Sequence, residues 1–350
     1  MKHNLTAMLL ALSLSSAVAI AGGAGGPPEA SGDEAPSRVA CSVPKLEATT
    51  AKPLVPTPFR GYPAAYVLHN DRVHAVVVPA ISRLVFLAPS ADAPNLLRLD
   101  DALADAGALP PDPSTAPDFF NIGGDWVWPV AQSNWPAFSP NAADWPPPPA
   151  LADGPASASA WTDQFGIQNL LLTRHYPAPI HATLTREFIL GSTATALKCG
   201  QTLVRDSDAP GDAFPLTLWH ISQTANPNRI IFTVPSADFT PAVMAGALPS
   251  GSFSIRSVNW CGGPSFMGTY TPLPASEVKF SIPSSSLDAA TSNGRLAVHA
   301  SFPAHAELYS NSGLGYAELE TVTPESSNTL SNTLTYFVSP PPDKESCAVE

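Results

Sequence analysis

Short runs of β-branched and aromatic residues, separated by turn formers, recur along this chain from Ala64 to Val338. Runs of that kind predict strands. Ala64–His69 and Val73–Pro79 flank an Asn70-Asp71 turn and read as a hairpin, with a further strand over Arg83–Ala88. Beyond Trp161 the candidates are Ile167–Tyr176, Ala182–Leu190, Ala194–Val204, Phe214–Thr224, Arg229–Val234, Phe253–Val258, Val278–Ile282, Arg295–Phe302, Ala306–Ser310, Tyr316–Val322 and Thr333–Val338. The links between them carry turn chemistry, as in Asp206–Gly211 and Ser292-Asn293-Gly294. Only Asp100–Ala106 predicts a short helix. Strands at this spacing without intervening helices predict an all-β fold, a large antiparallel β-sandwich or a barrel.

Composition places that fold outside the cytoplasm. Residues 1–21 have the form of a signal peptide: Lys2, an apolar run over Leu5–Ile20, then Ala19-Ile20-Ala21. The run is too short and too weakly flanked to span a membrane, and no later segment is long enough, so no membrane insertion is expected after cleavage. Residues 22–57 are rich in Gly, Pro and Ala and predict a flexible N-terminus; one domain over 58–340 and a tail over 341–350 follow. With 40 prolines and only 13% charged residues, the chain fits a loop-rich, secreted or periplasmic β protein. Its formal charge of −12 speaks against nucleic acid and anionic lipid as partners. The four cysteines, Cys41, Cys199, Cys261 and Cys347, lack CxxC spacing; two disulfides in any of three connectivities are open to them, with Cys199–Cys261 the favoured pair and Cys41 and Cys347 free or tying the chain ends together.

The segment Asn121–Pro149 changes the picture most, because it holds four of the seven tryptophans. Indole faces of Trp126, Trp128 and Trp135, interleaved with Asn121, Asp125 and Gln132, suit a carbohydrate ligand. Sugar C–H faces stack on rings while hydroxyls need fixed polar partners. The same composition also fits a Pro/Trp cover packed over one end of the fold.

Two further places can carry chemistry. In the run Gly315–Val322, strand alternation puts Tyr316, Glu318 and Glu320 on one face and Ala317 and Leu319 on the other. Paired carboxylates repel, so one can hold a proton near neutral pH and serve as general acid or base. Glu320 is preferred because Thr321-Val322 continues the strand beyond it; a solvated acidic face is the plain alternative. His220 shares a strand face with Leu218 and Ser222 and is either a proton carrier or a satisfied core histidine. There is no HExxH, HxxxH or GxSxG pattern, so neither a metal site nor a cofactor is expected.

Several stretches together resemble a known family. Ala75–Leu97, Asn121–Trp135, Trp145–Pro149, Phe214–Gln223 and Ala306–Pro324 are similar to the domain-of-unknown-function group DUF4380. That group looks related to the galactose mutarotase-like β-supersandwich of aldose 1-epimerases. In those enzymes a strand histidine protonates the sugar ring oxygen and a late-strand glutamate takes the anomeric hydroxyl proton. By order along the chain the resemblance implies His220 as acid and Glu320 or Glu318 as base. The expectation is a secreted or periplasmic carbohydrate-binding protein that acts on its sugar by proton shuttling. It requires His220 and one glutamate within reach of one sugar ring. The alternatives are a non-catalytic polysaccharide-recognition module and a structural envelope protein.

Overall fold

A computed structural model describes residues 51–109, 120–137, 145–148, 151, 154–210, 214–260, 263–301 and 304–341. The signal-like segment 1–21, residues 22–50 of the N-terminal stretch, Cys41, Cys261, Cys347 and the tail from 342 onward lie outside the described residues.

The chain begins with β1 (Lys52–Pro53), β2 (Thr57–Phe59), β3 (Tyr62–His69), β4 (His74–Val78) and β5 (Arg83–Ala88). The helix α1 (Asp101–Asp105) separates these from β6 (Asp125–Trp128) and β7 (Ser157–Thr162). Long strands follow: β8 (Gln168–Tyr176), β9 (Ala182–Leu190), β10 (Ala196–Arg205), β11 (Trp219–Ala225) and β12 (Arg229–Val234). Next come β13 (Ala242–Gly246), β14 (Phe253–Trp260), β15 (Gly263–Tyr270), β16 (Glu277–Ile282) and β17 (Ser286–Thr291). The last are β18 (Gly294–Ala300), β19 (His305–Asn311), β20 (Tyr316–Val322) and β21 (Thr329–Ser339). They form two antiparallel sheets. One has eleven strands in the order β1-β7-β8-β9-β10-β21-β18-β17-β12-β15-β14, the other ten in the order β13-β16-β19-β20-β11-β6-β5-β4-β3-β2. The fold is thus all-β, a large antiparallel sandwich. No helix among the described residues is long and apolar enough to cross a membrane.

Alternation explains the core. In β9, Ala182, Leu184, Arg186, Phe188 and Leu190 are buried while the residues between them are half-buried. Phe188, Leu170 and Tyr336 from the larger sheet meet Leu84, Phe280 and Leu319 from the smaller one in a single apolar cluster. The hairpin turns where expected: Asn70 Oδ1 accepts from the backbone N–H of Arg72 and Val73 (2.8 Å each). Its amide also donates to the carbonyls of Gly191 and Ala194, tying the turn to the other sheet. Asp100 caps α1 by accepting from the Leu103 N–H.

Three expectations change. Order starts before residue 58, because β1 pairs with β7 and β2 with β3. Strands β7 (SASAWT) and β17 (SLDAAT) escape a search for β-branched runs because small residues fill them. Cys199 is a free, buried thiol, which overturns the Cys199–Cys261 pairing. It lies on the inward face of β10 with Leu197, Gln201 and Leu203, and burial pushes the thiol up to about 12.

Candidate functional site

Strands β11 and β20 separate two polar centres. They pair with His220 opposite Thr321, Ile221 opposite Glu320 and Gln223 opposite Glu318. Cross-strand partners share a face and neighbours along a strand do not. Glu318 and Glu320 therefore project from one side of the sheet, and His220 and Ser222 from the other.

The His220 side faces the eleven-stranded sheet. Asp125 is its hub, fully buried. Its Oδ2 accepts from Ser222 Oγ at 2.6 Å and from Tyr336 Oη at 3.0 Å, and lies 2.5 Å from His220 Nε2. Its other oxygen pairs with the Arg186 guanidinium. Burial alone would raise the Asp125 carboxyl, but the facing His220 and Arg186 outweigh it and hold it well below the usual carboxylate range. Tyr336 and Arg186 come from the larger sheet, so this cluster pins the two sheets together. Of the expected site residues, Asp125 and His220 are enclosed in this network, and the expectation that His220 and Glu320 reach one sugar ring is not met, because the sheet itself lies between them.

The Glu320 side faces away from the larger sheet and has a different character. One oxygen of Glu320, Oε2, accepts from Trp219 Nε1 at 2.6 Å and from Lys279 Nζ at 2.9 Å. The other, Oε1, is buried with no hydrogen-bond partner among the described residues. Lys279 also reaches Glu307 at 3.0 Å and lies 4.5 Å from the Trp219 ring centre. His305 completes the row, 3.2 Å from Glu307. Burial, aided by Glu307 and Glu318 and opposed by Lys279, pushes the Glu320 carboxyl up to about 7. Burial likewise raises Glu318, although Gln223 donates to it at 2.6 Å. Glu307 goes the other way: burial is outweighed by His305 and Lys279, and its carboxyl is lowered.

Arg98 extends the face. It donates to Gln223 Oε1 at 3.3 Å and to Asn121 at 3.1 and 3.2 Å, and stacks 5.2 Å from the Tyr316 ring centre. Asn121 thus belongs to this face through Arg98. Lys279, Glu307, Arg98 and Gln223 were missed in the sequence. Each is a single polar residue in an otherwise ordinary strand or loop, and only strand register gathers them. Among the described residues, no group of three or more His, Cys, Asp or Glu side chains is arranged to hold a metal.

The tryptophans do not form an open platform. Trp126, Trp128 and Trp135 are 1%, 4% and 0% exposed. Trp128 packs edge-on against Trp126, Trp135 and Trp219 at 5.0–5.7 Å, and Trp135 stacks on Trp219. The three indoles expected to stack on a ligand are each enclosed by the others and by β11. Trp145, stacked on Trp135, is 52% exposed. Gln132, the last expected ligand contact, lies half-buried in the turn Gln132–Ala137 beside this cluster.

No protein-family model and no curated protein matches the chain. Solved structures do resemble it. A TPR-domain containing protein from Parabacteroides distasonis is 12% identical over 86% of this chain, with a TM-score of 0.50; the chain spans 55% of that protein's length. A galactose mutarotase-like protein from Lactobacillus casei is 14% identical over 79% of this chain and 99% of its own, with a TM-score of 0.48. A galactose mutarotase related enzyme from Lactobacillus acidophilus is 8% identical over 79% of this chain and 98% of its own, with a TM-score of 0.45. At such identities the likeness concerns the fold alone.

Proposed function

We propose that the chain is a secreted or periplasmic carbohydrate-binding protein whose outward-facing Glu320 exchanges a proton with a bound sugar. The observation that carries this reading is the half-satisfied Glu320 carboxylate: Trp219 and Lys279 fix one oxygen, and the other is buried without a partner. A buried acceptor left unpaired is costly, and a ligand hydroxyl would satisfy it. The surrounding groups support a polyhydroxylated ligand. Glu318, Gln223, Arg98 and Tyr316 offer donors and acceptors on the same face, and Glu318 and Lys279, each half-buried, neighbour Glu320.

The chemistry that suits two carboxyls with raised pKa values is reversible ring opening of a reducing sugar. Glu320 takes the proton of the anomeric hydroxyl, the ring C–O bond breaks as the carbonyl forms, and protonated Glu318 gives its proton to the ring oxygen. Closure on either face of the carbonyl runs the same steps backwards and restores both groups. One carboxylate and one carboxylic acid on a single face suffice. The test is exchange NMR on a panel of reducing sugars. Exchange between anomers should be accelerated by the protein and lost in Glu320→Gln. Saturation transfer without accelerated exchange would reduce the reading to recognition alone, and silence across the panel would refute it.

A further inference from the structure

A cavity of about 340 Å³ opens at the Tyr316 end of β20. The turn between β11 and β12 supplies Asn226 and Asn228 to it, and the turn after β15 supplies Pro272 and Pro274. Ser310 also lines it; this residue is buried, and its hydroxyl has no hydrogen-bond partner among the described residues. None of the lining residues is charged.

We propose that this cavity is a second saccharide subsite, so that the ligand spanning it and the Glu320 face is a neutral oligosaccharide. This rests on the carbohydrate reading above and extends it. Proline rings and a tyrosine ring present rigid apolar faces to sugar C–H groups, while two asparagine amides and an unpaired serine hydroxyl await hydroxyl partners. The volume lies at the lower end of small-molecule sites, which matches a piece of a ligand and not a long chain. The absence of charge favours a neutral ring over a uronate. Continuity comes from Tyr316, which lines the cavity and shares a strand face with Glu318 and Glu320. Arg98 stacks on Tyr316 and bonds Gln223, and Gln223 bonds Glu318, so the two sites form one polar track. Prefixed walls of this kind lower the ordering cost of binding an extra ring.

The test is calorimetric titration of the full-length protein with glucose, galactose and the β-1,4-linked trisaccharide of each. Asn228 is exposed at the rim, so Asn228→Trp fills the cavity without touching the core, and a matching melting curve confirms its fold. The expected result is a trisaccharide that binds at least about tenfold more tightly than its monosaccharide in the unmodified protein. That ratio should collapse to within about threefold in Asn228→Trp, and Asn228→Ala should lower it part of the way. Equal affinities for both lengths, or a ratio that survives Asn228→Trp, would overturn the subsite and leave the Glu320 reading intact if the protein still accelerates anomer exchange and Glu320→Gln loses it. A protein that binds none of these sugars would overturn both.

Discussion

His220 and Glu320 project from opposite faces of the same strand pair, because Ile221, not His220, is the cross-strand partner of Glu320. The sheet therefore divides the polar chemistry of the chain in two. Asp125, His220, Ser222, Tyr336 and Arg186 form a closed interior network, and Glu320 belongs to an outward face whose valences are incomplete. The first is a fastener and the second a candidate for chemistry.

The fastener predicts a large stability effect. Asp125→Asn leaves the Arg186 guanidinium buried without its countercharge, a loss of about 3–5 kcal/mol for a broken buried pair. Because the folded Asp125 carboxyl is held below its unfolded value, its contribution is present above the ordinary carboxylate range and fades as pH falls through the folded value. Urea unfolding of the variant near neutral pH checks this, and a loss under about 1 kcal/mol would mean that the network relaxes around the change.

Glu320 has the opposite sign. Its folded value near 7 exceeds the 4.5 of an unburied glutamate, so the folded chain binds this proton more tightly than the unfolded one. Its contribution is complete below about pH 4.5 and is lost as pH rises through about 7. The stability of the unmodified protein minus that of Glu320→Gln should therefore fall between about pH 4.5 and pH 8. A flat difference would place Glu320 at its ordinary value.

Lys279 restrains that rise. Lys279→Met removes the cation shared by Glu320 and Glu307, so both carboxyls should titrate higher. The pH profile of anomer exchange should move upward with the Glu320 value, and an unmoved profile would show that the ammonium does not govern the reacting group.

The tryptophan cluster predicts a split fluorescence response. Trp126→Ala should cost about 3–5 kcal/mol, the range for a deleted core indole. Trp145→Phe should lower the iodide-quenchable fraction, while Trp126→Phe should leave it unchanged. Quenching lost in Trp126→Phe would reopen the exposed-platform expectation.

Local alternation made much of this legible. The Tyr316–Val322 run reads correctly as a strand with Glu318 and Glu320 on one face, and His220 correctly groups with Ser222. What alternation along one strand cannot convey is which residue of a distant strand sits opposite. A shift of one residue would have joined His220 to Glu320, and register is set by tertiary packing. The Trp segment misled for a related reason. All four residues of β6 are buried, on both faces, so its sequence lacks the alternation of a half-exposed strand and resembles a loop that displays its indoles. Lys279, Glu307 and Arg98 gave no local signal because their meaning lies wholly in one another.

The proposed chemistry needs a Glu320 carboxyl that holds and releases a proton near neutral pH. A carbon-13 NMR titration of the glutamate side-chain carboxyls, with Glu320 assigned through Glu320→Gln, measures that directly. A midpoint near 7 that moves when a reducing sugar is added is the predicted result. A midpoint at or below 4.5, indifferent to sugar, would contradict it.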